Sequence, residues 1–116
     1  MNAQETLIKT GIPSSFAVWR SEDGRVDPPE AYITHTQMRV EESHADDSVQ
    51  EHRLFVYVNL WCKGNPNALA EKVRAAMYAD GWSMAEEQQE YVHEAKMNRV
   101  SWTWTITEDA QDAAGH

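Results

Sequence analysis

The apolar and polar positions of this chain alternate most cleanly between residues 54 and 61. Leu54, Val56, Val58 and Leu60 would face one way, and Phe55, Tyr57, Asn59 and Trp61 the other, the two-residue period of a β-strand. Both sets are largely apolar. A strand half in water would not need that, so the pattern predicts a central strand from about Glu51 to Cys62. A second clear alternation runs from Arg99 to Thr107, with Val100, Trp102, Trp104 and Ile106 inward and Arg99, Ser101, Thr103, Thr105 and Thr107 outward. Residues 31 to about 40 give a further strand. There Tyr32, Thr34, Thr36, Met38 and Val40 share one face, and Ile33, His35, Gln37 and Arg39 form the wetter one. Phe16-Ala17-Val18-Trp19 reads as a short first strand.

One segment has helical periodicity. Leu69, Val73, Ala76 and Met77 recur at the spacing of a buried helical stripe, with Asn67, Glu71, Arg74 and Tyr78 roughly opposite. Asn65 suits the N-cap, Pro66 the first helical position and Gly81 the C′ position, so the spacing predicts a helix over 66–80. Residues 2 to 10 predict a short helix that exists only if it docks, stopped by Gly11 and Pro13. In Glu86-Glu87-Gln88-Gln89-Glu90 the residues favour helix, but Tyr91, His93 and Ala95 then alternate with Val92, Glu94 and Lys96. The alternation predicts a strand from about Glu90 to Lys96 and a turn near Met97-Asn98.

The connections follow. Ser21 to Pro29 is a loop with an Asp-Gly turn and a double proline, and Glu41 to Gln50 is a polar hairpin loop. The expected fold is α+β: a small antiparallel or mixed twisted sheet of four to five strands, one long helix packed on one face, and a short N-terminal helix. Residues 1–107 form a single domain in this reading, and 108–116 a short acidic tail.

Charge narrows the partners. Ten Lys and Arg stand against nineteen Asp and Glu, a formal net charge of −9. Backbone-directed nucleic-acid binding and attachment to an anionic membrane both depend on basic residues, so this balance argues against either. No stretch approaches the ~20 apolar residues of a membrane span. Cys62 is the only cysteine, which excludes an internal disulfide and makes the cytosol the default compartment. Five tryptophans are more than a core of this size usually needs, so some are expected at an interface.

No common catalytic constellation stands in the sequence. His35, His44, His52, His93 and His116 lack metal-ligand spacing, and Cys62 has no neighbouring Cys or His. A chance pairing of His35 with His52 across a hairpin is the nearest approach to a metal site. Gly64 and Gly81 read as element boundaries, and the pairs Glu41-Glu42 and Asp46-Asp47 lie outside any Ca²⁺-loop pattern. No catalytic, metal or cofactor residue is assigned, and the chain reads as a non-enzyme.

The order of features resembles a family. Gly11-Ile12-Pro13, an aromatic strand ending at Trp19, an acidic loop closed by Pro28-Pro29, then Tyr32-Ile33, the Ala45-Asp46-Asp47 loop, Val58-Asn59-Leu60-Trp61, the Asn65-to-Gly81 helix with its Ala-Leu-Ala-Glu-Lys opening, and Trp102-Thr103-Trp104 follow one another. This succession, over about residues 11 to 107, is similar to the tail terminator and head–tail joining proteins of long-tailed bacteriophages and prophages. The tryptophan load departs from the family pattern. The resemblance implies a ring, commonly of six subunits, that caps the tail tube and meets the head connector. It implies no cofactor, and residence in the bacterial host cytoplasm and then in the virion. Partners would be the chain itself, the tail-tube protein and the head-connector protein. A lumen lined by carboxylates would let DNA slide past. A ring needs one patch to meet a different patch on the next copy, by sheet-edge pairing through the second strand or by aromatic packing. The interface candidates are Trp19, Tyr32, Asp46, Asp47, Tyr57 and Trp61.

Two readings of other classes stay open. A small acidic inhibitor would bind a basic, nucleic-acid-handling host protein and carry carboxylates in two rows. A metal-dependent or hydrolytic enzyme would gather His, Asp and Glu in a pocket.

Overall fold

The computed structural model describes residues 3–16, 30–43 and 49–109. Its elements are α1 (Ala3–Ile8), β1 (Ser14–Phe16), β2 (Ala31–Ser43), β3 (Val49–Cys62), α2 (Asn67–Ala79), β4 (Ser83–Val92) and β5 (Met97–Asp109). The five strands form one sheet in the order β1-β2-β3-β5-β4. The β1–β2 pair is parallel and the other three are antiparallel. This is the expected α+β class, and the strand read as central, β3, lies in the middle of the sheet.

The core faces the helices. Leu54, Val56, Val58 and Leu60 of β3 meet Val100, Trp102 and Trp104 of β5 and Ala70, Val73 and Met77 of α2, all buried. Leu69 and Ile106 pack partly buried against them. The inward set of β5 is as the alternation predicts, and two adjacent tryptophans occupy the middle of it. Trp82, just after α2, is enclosed as well. Leu7 of α1 enters the same cluster, while Ile8 is 61 % exposed.

The docking that α1 requires comes from the C-terminal end of α2. Thr6 Oγ1 donates to Asp80 Oδ2 at 2.7 Å, and Lys9 Nζ lies 2.9 Å from both oxygens of the same carboxylate. These bonds hold the Asp80 carboxyl below its ordinary pKa, the Lys9 bond contributing most and Thr6 next. Pro66 occupies the N-cap of α2, one residue later than expected. Asn65 still serves the helix start, its Oδ1 accepting from Asn67 N at 2.9 Å. Gly81 ends α2 with φ +92°, the left-handed conformation that suits a residue without Cβ.

Three expectations need correction, and a fourth, the first strand, falls mostly outside the described residues. Strand β4 runs from Ser83 to Val92, where a strand from Glu90 was expected. Residues 93–96 make the turn, with Lys96 at φ 55°. The first strand is Ser14–Phe16, and Ala17, Val18 and Trp19 lie outside the described residues. Strand β2 continues to Ser43 and β3 begins at Val49, so the connection is shorter than the expected 41–50 loop. The face of β2 expected to be wetter holds Ile33 and His35, both buried, because Ile33 stands opposite Leu60 and His35 opposite Val58 on the helix-covered side.

The helices cover only part of the sheet. At about 3.3 Å per residue the 14 residues of β3 reach about 46 Å, whereas the 13 residues of α2 span about 20 Å. The molecule is accordingly elongated, 51 × 29 × 25 Å. Residues 36–40 of β2 are exposed on both faces of the sheet. No helix among the described residues is long and apolar enough to cross a membrane.

Candidate functional site: the uncovered face of the sheet

The pairing registers define the face that the helices leave bare. Tyr32, Thr34, Thr36, Met38 and Val40 of β2 stand level with Trp61, Asn59, Tyr57, Phe55 and Arg53 of β3. These in turn stand beside Arg99, Ser101, Thr103, Thr105 and Thr107 of β5, with Glu90, Gln88 and Glu86 of β4 completing the row. Side chains on this face therefore change from apolar and aromatic over β2 and β3 to small and hydroxylic over β5, and then to acidic and amide over β4.

Its aromatic end is held in place by contacts within the chain. The rings of Tyr32 and Trp61 stack at 6.0 Å with planes 12° apart. The Trp61 indole N–H donates to Thr34 Oγ1 at 3.2 Å, and the Arg99 guanidinium lies 5.5 Å from the Trp61 ring centroid, within cation–π range. Arg99 is held by Glu90. Between these groups Ser101 Oγ donates to Asn59 Oδ1 at 2.7 Å. A shallow groove of about 140 Å³ crosses the small residues of β5, bordered by Tyr57, Asn59, Glu86, Gln88, Ser101 and Thr103.

The six sequence-derived interface candidates divide three ways. Trp19, Asp46 and Asp47 lie outside the described residues. Tyr32 is 8 % exposed and stacked on Trp61, and burial pushes its phenol pKa up. Trp61 is half-buried, while Tyr57 is 40 % exposed. The structure therefore brings Tyr32, Tyr57 and Trp61 onto one face and offers Tyr57 most openly. Sequence reasoning missed Met38 and Val40, 47 % and 37 % exposed on the same face, and the Arg99 clamp on Trp61. The shared parity of Met38, Val40 and Tyr32 was the available signal for the first two. Arg99 is signalled only through the β3–β5 register.

A second cavity, of about 540 Å³, opens beside α1 and is lined by Gln4, Phe16, His35 and Gln37. His35 is 5 % exposed. Its Nε2 meets Gln4 Oε1 at 2.6 Å, and the Gln4 amide nitrogen donates to Ser14 Oγ at 3.1 Å. Gln4 Oε1 can only accept, so His35 Nε2 carries the proton and Nδ1 is a bare lone pair, which has no partner. Burial lowers the pKa of this imidazole and keeps it neutral. His35 and His52 do not pair: His35 stands opposite Val58, and His52 opposite Glu41. Among the described residues no three His, Cys, Asp or Glu side chains converge as a metal site would require. Cys62 is buried at the end of β3.

Compared with protein-family models and with curated proteins, the sequence gives no match.

Proposed function

We propose that the chain is a structural virion-assembly protein of a long-tailed phage or prophage, a ring subunit that caps the tail tube and joins tail to head. The observation that carries this reading is the one-sided sheet. Both helices lie on one face, and the other presents Met38, Val40, Tyr57 and Trp61 with no element over them among the described residues. Strands longer than the helix layer extend that face along the molecule. A subunit of a ring works by presenting two different patches to its neighbours, and a stiff sheet supplies them without moving parts. The succession of residues from Gly11 to Trp104 supports the same reading, as does the net charge of −9, which suits a channel that DNA must traverse without being held.

The test is negative-stain microscopy of the purified protein, alone and mixed with tubes of the tail-tube protein encoded beside it. Ring-shaped caps at tube ends are the expected result. Tubes that keep bare ends in the presence of folded protein would refute the reading. In the same assay Tyr57→Asp, which adds a charge to the uncovered face without entering the core, is expected to abolish capping and leave the circular dichroism spectrum unchanged.

A further inference from the structure

Strand β4 forms one edge of the sheet. Among the described residues its single strand neighbour is β5, and residues 85–91 are all exposed. The chain is described without a break from residue 49 to residue 109, so everything joined directly to β4 in sequence is in view. The other segments join the sheet between β1 and β2, between β2 and β3, and past Asp109, four residues beyond the last β4–β5 pair at Thr105. An edge ten residues long is a template for another strand unless its side chains forbid it.

The side chains of β4 forbid every symmetric register but one. Two copies of a strand related by a two-fold axis pair antiparallel, and facing residues share a face of the sheet, so the axis passes through a residue. At Glu86, Glu87 or Glu90 it sets a carboxylate against its own copy. At Gln88 it sets Glu86 against Glu90. Like charges directly opposite are destabilising. Toward Ser83 the bulge at Met84/Glu86 interrupts the ladder. Toward Val92 the turn at residues 93–96 leaves an axis at Tyr91 only residues 90–92 of each copy. Gln89 remains. There Gln89 faces Gln89, Gln88 faces Glu90, Glu87 faces Tyr91 and Glu86 faces Val92, and no like charges are opposed.

The facing groups also complement one another. Gln88 Nε2 donates to Glu86 Oε1 and keeps a second N–H for the Glu90 opposite. Trp102 and Arg74 both donate to Oε1 of Glu87, which leaves Oε2 to accept from the Tyr91 hydroxyl. Tyr91 is 49 % exposed, a large ring standing at the edge. Arg74 and Arg99 hold Glu87 and Glu90, so two copies of this edge repel less than their carboxylates alone suggest.

We infer that two copies of the chain pair through β4 about Gln89, joining two five-stranded sheets into one. The two-fold axis stands perpendicular to the sheet, so both copies carry their helices on the same side and their bare faces continue into each other. The inference goes beyond the ring-subunit reading. A contact of this kind closes on a pair, and it does not use Met38, Val40, Tyr57 or Trp61.

The test is disulfide trapping under mild oxidation. Wild type, whose single cysteine Cys62 is buried, is the blank. The two copies of position 89 face each other with Cβ atoms about 4.5–5.5 Å apart, close enough for a disulfide after small adjustment. The two copies of position 85 lie about 26 Å apart along the strands, so Ala85→Cys measures chance collision at an exposed point of the same strand. Gln89→Cys is expected to give a linked homodimer and Ala85→Cys to stay monomeric. Adding Tyr91→Glu to Gln89→Cys sets a carboxylate against Glu87 at both ends of the pair and should slow linking roughly tenfold, with the urea midpoint unchanged. No link at position 89, equal linking at position 85, or indifference to Tyr91→Glu would each overturn the inference. Caps on tubes without the link would discard this pair and keep the tail role. The link without caps would keep the pair and discard the tail role.

Discussion

Replacing Trp104 by alanine tests which face of the sheet is the core. Trp104 is fully enclosed. It meets Tyr78 edge-on at 5.1 Å and lies tilted against Trp102 at 6.4 Å. Removing the indole leaves its side of the α2–β5 contact without partner atoms. A buried aromatic of this size hides about 200 Å², which at about 25 cal/mol/Å² is an upper value of about 5 kcal/mol; since alanine keeps the Cβ, the expected loss is about 4 kcal/mol, within the range of such truncations. Domains of this size hold about 5–15 kcal/mol in all, so the variant should fold with much of its margin gone and melt about 15 °C lower. Trp61→Ala is the control. Trp61 is half-buried on the opposite face, so the same accounting gives about 2 kcal/mol. Urea titrations followed by far-UV circular dichroism read both. If Trp61→Ala cost as much as Trp104→Ala, or Trp104→Ala less than about 2 kcal/mol, the assignment of one face to stability and the other to contact would fail.

Three further outcomes are expected. Asp80→Asn should lower the urea midpoint at neutral pH. Since the bonds from Lys9 and Thr6 depress the Asp80 pKa, the advantage of wild type exists above the ordinary carboxyl pKa and is lost as pH falls through the depressed one; a difference that persisted unchanged into strong acid would contradict this. His35 is held neutral by burial, so the unfolded chain takes up its proton first and stability falls as pH drops from the ordinary imidazole value toward the lower folded one. Its ring resonances should titrate with a midpoint below 6.5, and a midpoint at or above that value would refute the burial argument. Gly81→Ala should cost about 1 kcal/mol. The added Cβ meets only Ile106 Cδ1, at 3.7 Å, an ordinary contact, so the cost comes from φ +92°; an unchanged urea midpoint would remove the strain.

The central strand, the closing strand and α2 were legible because burial acts on them with a regular period. Leu54 to Leu60 and Val100 to Trp104 each bury every second residue, and α2 buries Ala70, Val73 and Met77, within one position of the predicted stripe. Strand β4 was misplaced because nothing buries it. Residues 85–90 are exposed on both sides, so no alternation marks them, and their composition favours helix. Long-range bonds make them a strand. Trp102 Nε1 donates to Glu87 Oε1 at 2.5 Å, Arg74 reaches the same carboxylate, and Arg99 holds Glu90. These partners are 15, 13 and 9 residues away, outside any local window. The wrong face of β2 has a similar cause. Ile33-His35-Gln37-Arg39 is polar on average, yet its first two residues lie on the helix-covered side, where a neutral imidazole bonded to Gln4 of α1 is tolerated.

On the candidate site, the legible part was the set of side chains and the illegible part was their exposure. Tyr32 and Trp61 are cross-strand partners with stacked rings, and Tyr32 is 8 % exposed, so of two aromatics that a sequence offers as contact residues only Trp61 keeps appreciable surface. Tyr57 has Thr36 and Thr103 as cross-strand neighbours, neither large enough to cover it, and it stays open. Met38, 47 % exposed, has Phe55 as its cross-strand neighbour on β3 and stays open as well. Contact surface on this face is therefore set by the cross-strand neighbour and by how far the helices reach along the strands. Neither quantity has a period along the chain, and both become readable once the register of β2, β3 and β5 is fixed.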